Sequence, residues 1–419
     1  METFCNGLLV KRLRAYKTKL ILNNKEASYF LGCSGFARFV FNWGLAEWKR
    51  QYESGEKPSA YSLKKKFNSI KDIEFPWTRE YPYRIESSAF DNLGLAFKNF
   101  FRRVKNGEKP GYPKFKKKGI SDRFTLRDCI RADRNDIKLP IIGWTRLAES
   151  NYLPTENVKI LSANISKCGK NWLVSLQVEE EVQEPVAQTG KPLGIDLGIK
   201  SRAVCSNGKT FDNPRTLSRH ERKLKRLGRE LSRRKLGGCN REKTKVKLSR
   251  EHQKIADIRS HNSHNISRYV TAKTKPRTIV IEDLNVLGMM KNHRLAKSLS
   301  DSSMSELRRQ IEYKAEWNGI QVLVADRFYP SSKKCSRCGN VKDELLLSDR
   351  IYACDSCDNT IDRDMNAALN LAALARTVEA TEIACGVGVQ QCATVKQEDG
   401  RKALSPPAVG VYAPAPSFI

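Results

Sequence analysis

The chain has 419 residues, with 76 Lys and Arg against 46 Asp and Glu, a formal charge of +30. At roughly 150 residues per domain this is two or three domains, each able to bury its own core, and the charge balance is that of a polyanion-binding protein. No apolar run is long enough to span a bilayer and METFCNGLLVKRLRAYK lacks the apolar core of a secretory leader, so the sequence predicts no membrane partner and a soluble, cytoplasmic, nucleoid-associated protein.

In chain order, LVKRLRAYKTKLIL (residues 9–22) alternates apolar and basic residues and predicts a strand with one charged face. Residues 25–50 place Phe30, Phe36, Val40, Trp43 and Leu45 near helical spacing, with a break expected around Gly32–Gly35, and SSAFDNLGLAFKNFFRRVK predicts a helix over 87–105. The next segment, NGEKPGYPKFKKKG, holds Gly107, Pro110, Gly111 and Pro113, which oppose regular structure. It reads as an exposed basic loop where Tyr112 and Phe115, beside Lys114 and Lys116, suit either base stacking or packing around the prolines. Residues 137–144, IKLPIIGW, predict a strand, and VKILSANI and WLVSLQVEE around SKCGKN predict a hairpin. A strand, a helical insertion and more strands imply a small β-barrel carrying a helical domain.

Residues 186–192, VAQTGKP, read as a linker, after which the composition becomes α/β. PLGIDLGIKSRAVCSNGKTF predicts a hairpin turning at Ser206-Asn207-Gly208, while RTIVIEDLN and GIQVLVADRF read as short buried strands. Between them, residues 215–250 hold fifteen Lys or Arg against Glu221, Glu230 and Glu242, with Leu217, Leu224, Leu227 and Leu231 as one apolar stripe and a break at Gly237-Gly238. This helical hairpin carries more positive charge than solubility requires, so Lys223, Arg226, Arg233 and Arg234 are candidate nucleic-acid contacts. Beyond about residue 376 periodicity fades into a Pro- and Ala-rich segment that predicts a flexible tail over 377–419.

Eight of the twelve cysteines are scattered, but Cys335-x2-Cys338 and Cys354-x2-Cys357, fifteen residues apart, have the spacing of a four-thiolate zinc ribbon. A redox pair is the rival for one CxxC; two at this spacing favour one Zn²⁺ with no open coordination position, hence a structural ion. Of the five histidines, His261 and His264 lie at helical spacing with no third ligand, which points to core or surface roles.

Acidic residues end three buried segments: Asp196 in GIDLGIK, Glu282 beside Asp283 in TIVIEDLN, and an aspartate of IDRDMNAALNLAALA. Three carboxylates brought together can hold two Mg²⁺ ions roughly 4 Å apart, one to activate a water and one to stabilise the leaving oxygen of a phosphodiester. In a strand Glu282 and Asp283 point to opposite faces, so only one can join such a cluster. Asp362 and Asp364 lie about 200° apart on a helix, which makes Asp362 the N-cap and leaves Asp364 in the first turn to bind metal. Ala367, Ala368, Ala372 and Ala373 let that helix pack closely on a sheet.

Taken together, AYKTKLIL, RFVFNWGLAEW, GYPKFKKK, GIDLGIK, IVIEDLN, RRQIEYKAEWNG, DRFYPSSKKCSRCG and DRDMNAALNLA, in that order over residues 9 to about 375, resemble the TnpB family, OrfB of the IS200/IS605 transposons, which is ancestral to the Cas12 nucleases. The resemblance implies a wedge-like β-barrel (1–24 and 122–185) with an inserted helical recognition domain (25–121). It then implies a RuvC-like, RNase H-fold nuclease domain (193–376) holding the zinc ribbon (333–360). It carries the catalytic triad onto Asp196, Glu282 and Asp364, and it implies a Mg²⁺-dependent DNA endonuclease. The guide would be an RNA made from the transposon end, the target double-stranded DNA beside a short adjacent motif, and strand transfer the work of a separate transposase. Arg327, Ser331, Ser332 and Lys333, ahead of the ribbon, are candidate contacts to the scissile strand. Rival readings are a compact Cas12-type CRISPR effector and a cleavage-deficient guided repressor.

Overall fold

The structure, a computed structural model, describes residues 9–120, 122–346 and 348–384. Its first half runs β1 (Leu9–Ile21), α1 (Asn24–Glu53), α2 (Ala60–Glu74), α3 (Tyr83–Lys105), β2 (Arg123–Arg127), β3 (Arg131–Ala132), β4 (Asp136–Leu139), β5 (Gly143–Leu147), β6 (Val158–Cys168) and β7 (Asn171–Gln183). Then follow β8 (Leu193–Asp196), β9 (Ser201–Cys205), β10 (Thr210–Asp212), α4 (Thr216–Arg233), α5 (Cys239–Arg268), β11 (Thr278–Glu282), α6 (Val286–Met289), α7 (His293–Ser302), α8 (Met304–Trp317), β12 (Gln321–Ala325), β13 (Ile351–Ala353), β14 (Thr360–Asp362) and α9 (Arg363–Ala384). Two compact units result: one from the chain up to Pro185 with Arg215–Ser260, the other from Val186–Pro214 and from His261 onward. Among the described residues, no helix is long and apolar enough to cross a membrane.

The first unit is an antiparallel seven-stranded sheet in the order β2-β6-β7-β1-β5-β4-β3, with the three helices inserted between β1 and β2. The alternation read in the sequence buries Tyr16, Thr18 and Leu20 on one face of β1 and exposes Lys17 and Lys19 on the other. Phe30 of α1 meets Phe124 at 5.5 Å and Trp172 at 5.3 Å, edge to face, which joins the helices to the sheet.

The expected break at Gly32–Gly35 does not occur: α1 runs unbroken from an Asn23–Glu26 capping box. Its glycines are places of close approach, since a Cβ on Gly32 would lie 2.6 Å from Tyr81 Oη and one on Gly44 would lie 2.9 Å from Leu93 Cδ2. Helix α2 was not anticipated; it buries Leu63 and Phe67, one turn apart, behind a cap from Ser59. IKLPIIGW is also not one strand, because Ile141 at φ 68° and Gly143 at φ 83° fold it into the β4–β5 hairpin. The charged hairpin forms as read, its break falling between α4 and α5.

In the second unit a five-stranded sheet has the order β10-β9-β8-β11-β12, with β8, β11 and β12 mutually parallel and β9 and β10 antiparallel. Both faces are covered, which is why its strands read as continuous apolar runs. Ile195, Ile279 and Ile281 pack with Ile266, Val270, Leu307 and Ile311 on one side, while Val280 packs with Leu371 and Ala375 of α9 on the other. Helix α9 continues through Ala384, past the expected loss of periodicity. Residues 385–419, most of the predicted tail, lie outside the described residues.

Candidate active site

Strand parity builds the site. On β11, Val280 faces α9, so Glu282, two residues on, lies on the α9 side of the sheet, and Asp283 lies on the side of α8. Asp283 confirms its direction by pairing with Arg308 of α8 at 3.2 Å and with Arg327 at 2.6 Å. These guanidinium hydrogen bonds hold its carboxyl below the usual carboxylate range. On β8, Gly194 touches α9: a Cβ there would lie 2.0 Å from Ala368 O and 2.5 Å from the Ala372 backbone nitrogen. Asp196, two residues further, therefore also faces α9.

At the start of α9, Asp362 Oδ1 accepts the backbone N–H groups of Asp364, at 3.0 Å, and Met365, at 3.1 Å. Asp362 is thus the cap, and Asp364 stands free in the first turn. Asp196 and Glu282 lie on the α9 side of the sheet, and Glu282 and Asp364 come close enough to act on Asp196. Burial, then Glu282 and Asp364, push the Asp196 carboxyl up to about 8. Among the described residues neither Asp196 nor Asp364 has a hydrogen bond or ion pair to its carboxylate, while Glu282 accepts a hydrogen bond from Ser331 Oγ. Carboxylate oxygens are the ligands a hard divalent cation prefers, and those of Asp196 and Asp364 have no protein partner among the described residues, so the donor set fits Mg²⁺.

The thiolates form a second centre. The Sγ atoms of Cys335, Cys338, Cys354 and Cys357 all lie within 4.8 Å of one another, the Cys335–Cys357 and Cys338–Cys354 separations being 3.7 and 3.5 Å. A tetrahedron with Zn–S bonds of ~2.3 Å has edges of about 3.8 Å, so the set fits one zinc. Each CxxC is followed by a left-handed residue, Gly339 at φ 82° and Asp358 at φ 50°. Tyr352 is buried in one cluster with Cys335 and Cys354, and its Oη donates to Lys333 O at 3.2 Å.

The candidate nucleic-acid contacts divide. Arg226 and Arg233 are exposed, and among the described residues their side chains have no ion pair or hydrogen bond; Lys114 and Phe115 are likewise exposed. Lys223 is tied to Glu251 at 2.5 Å, and Arg234 to Glu230 and, at 2.6 Å, to Asn240 O. The basic loop is pinned where Asn42 Nδ2 donates to Lys116 O at 3.0 Å and Asn42 Oδ1 accepts from Lys116 N–H at 2.8 Å. Burial beside the Phe41 ring brings the Lys116 ammonium down to about 8. Tyr112 meets Phe97 and Phe100 edge to face at 5.6 and 5.5 Å, so packing has a share in it. Lys333 Nζ donates to Asp343 O at 2.6 Å, Ser332 O takes a hydrogen bond from Asn366 at 3.5 Å, and Arg327 is held by Asp283. Ser331 is only 5% exposed, and its Oγ donates to Glu282. His261 pairs with Asn265, and His264 lies beside Lys314, as non-ligand histidines do. Sequence reasoning missed Asn366 and Asn370, buried amides on α9 whose only signal was their one-turn spacing behind Asp364.

Comparison with known proteins follows the same geography. The IS605 OrfB profile, described as "Probable transposase", matches residues 175–293, and a Cas12f1-like TNB domain profile matches residues 305–371. Escherichia coli K12 InsQ, provisionally named an RNA-guided DNA endonuclease, is 33% identical over 409 residues, 93% of this chain and 98% of its own. The chain belongs to the IS605 OrfB family. A Streptomyces pristinaespiralis member with the same provisional name is 32% identical, covering 90% of this chain and 92% of its own. The solved Cas12f1–sgRNA–target DNA complex matches with a TM-score of 0.54 at 16% identity, covering 84% of this chain and 83% of Cas12f1, so the two share a fold. A third family profile, described as "Helix-turn-helix domain", matches residues 12–57, which form β1 and the single helix α1.

Proposed function

We propose that the chain is an RNA-guided DNA endonuclease of an IS200/IS605-type transposon, hydrolysing phosphodiester bonds at Asp196, Glu282 and Asp364. The observation that carries this is the convergence of these carboxylates on one face of a sheet ordered β10-β9-β8-β11-β12, an arrangement consistent with a RuvC-like, RNase H-type nuclease domain. The names of InsQ and the Streptomyces relative, which the chain matches over nearly their full length, support the guided reading.

Two Mg²⁺ ions held by the three carboxylates would supply an activated water and stabilise the leaving oxygen. The chain's own part is to hold those carboxylates. Asp362 caps α9 so that Asp364 projects from its first turn, Ser331 orients Glu282, and Arg308 and Arg327 keep Asp283 away from the cluster. Zinc at the four cysteines is structural, since four thiolates leave no open position.

The seven-stranded sheet and its helices serve as the wedge-like barrel and recognition domain, within the domain limits set out above. Lys114, Phe115, Arg226 and Arg233 contact a guide RNA made from the transposon end, or the DNA paired with it. Pairing with that RNA chooses the target strand, beside a short adjacent motif, and a separate transposase performs strand transfer.

The test is to purify the protein from cells carrying its native downstream flank, sequence the bound RNA, and assay Mg²⁺-dependent cleavage of a matching DNA library. Bound RNA from the flank, with cutting lost in Asp196→Ala, is the expected result. A CRISPR-derived RNA would favour the Cas12-type effector, binding without cutting the repressor, and no specific RNA would refute guidance.

A further inference from the structure

The segment that enters the zinc ribbon is fastened to both metal-binding groups. Asn370 Nδ2, on a side chain 2% exposed, donates to Ser331 O at 2.7 Å and to Lys334 O at 2.6 Å. One turn earlier on α9, the fully buried Asn366 donates to Lys334 O at 2.7 Å and accepts the Ser336 backbone N–H at 2.9 Å. A carbonyl only accepts and an amide N–H only donates, so both side chains have one permitted orientation. Lys334 and Ser336 flank Cys335, whose N–H closes the first knuckle on Asn340 O at 2.7 Å. At the other end of the segment Ser331 Oγ donates to Glu282, and among the described residues it is that carboxylate's hydrogen-bond partner. The helix that carries both asparagines also carries Asp364 in its first turn.

We infer that Asn366, Asn370 and Ser331 are positioning residues through which the zinc-folded knuckle sets the affinity of the carboxylate cluster for its catalytic cations. The physical basis is the linkage of metal binding to folding in small thiolate sites. Residues 331–336 keep this path only while the first knuckle is closed, and loss of zinc releases Ser331 and lets Glu282 turn away from Asp196 and Asp364. The ribbon is then a condition of metal binding 53 residues away in sequence, at Glu282, as well as a local fold. Buried, fully satisfied amides suit this role because they hold one geometry and lose heavily when a partner moves.

The inference rests on the nuclease reading for its purpose, but its test does not. Full-length protein would be titrated with Mn²⁺ alone, free Mn²⁺ being read by EPR, with zinc content measured on the same samples and Asp196→Ala used to identify binding at the cluster. Ser331→Ala is expected to keep its zinc and its melting temperature, to weaken Mn²⁺ about tenfold, and to raise the Mg²⁺ needed for half-maximal cleavage by the same factor; Ser331→Thr restores both. Stripping zinc from the wild type is expected to weaken Mn²⁺ at least as much, and adding zinc back to recover it. Wild-type Mn²⁺ affinity in Ser331→Ala, or in zinc-stripped protein, overturns the inference. A wild type that binds Mn²⁺ normally yet cuts no guided DNA refutes the nuclease reading alone, and the Mn²⁺ comparison still decides the clamp. Asn370→Ala adds a second variant, informative where it retains zinc.

Discussion

The two candidate metal centres of the second unit are built in opposite ways. The four thiolates come from two short turns whose geometry is local, and they close to within 4.8 Å of one another. The three carboxylates come from β8, β11 and α9, and each is placed by what packs on the sheet around it. A local centre resists changes elsewhere in the fold and fails when a ligand is lost. An assembled centre keeps its ligands and fails when packing shifts by an ångström.

Losing a ligand of each centre separates them most sharply. Asp196→Ala is expected to lower guided cleavage by about 10³-fold or more with zinc content unchanged, read by single-turnover cleavage beside a zinc assay. Cys354→Ser is expected to lose zinc and to open the ribbon to limited proteolysis, a local destabilisation of several kcal/mol. Retention of full zinc by that variant would show that the four thiolates are not one site.

Packing distinguishes the centres next. Gly194→Ala pushes a Cβ against α9 backbone atoms 2.0 and 2.5 Å away, with no flexible side chain to give. A loss of about 3 kcal/mol is expected in denaturant unfolding, with cleavage reduced as well. An unchanged midpoint would refute direct contact between β8 and α9.

Charge gives a smaller effect, with a definite sign. Asp196 is raised from 3.8 to about 8 in the folded, metal-free protein, so between those values the folded state holds a proton that the unfolded state lacks. Stability therefore falls as pH rises through this window, by at most about 1.4 kcal/mol per pH unit from this group. In Asp196→Asn the melting temperature is expected to rise more at pH 8 than at pH 5, and Mg²⁺ to stabilise the wild type but not the variant. A variant less stable than wild type at pH 8 would contradict the carboxylate repulsion. The smallest effect is at the surface: Arg233→Ala is expected to lower the salt dependence of RNA binding by about one counterion, leaving both metal centres intact.

Much of this was legible in advance because it is local. The alternation of β1, the hairpin around SKCGKN, the split of the basic hairpin and the cap at Asp362 all depend on residues within a few positions of one another. The misreadings share the converse reason. Glycine in α1 reads as a break because its spacing carries no record of Tyr81 or Leu93 lying against it. IKLPIIGW reads as one strand because apolar residues on both sides of a tight hairpin look continuous. The Ser-Ser-Lys-Lys run reads as an exposed polar turn, and only the contacts to Glu282 and Asn370 reveal that Ser331 is buried.

The sequence by itself determined the ligand types, the order of the segments and the two thiolate turns, since each is written in neighbouring residues. Only the tertiary structure decided which of Glu282 and Asp283 faces the cluster, that Gly194 lets α9 lie against β8, and that Asn366 and Asn370 join the ribbon to the helix carrying Asp364. Those outcomes depend on groups that are far apart along the chain and come into contact only when the sheet has both its faces covered.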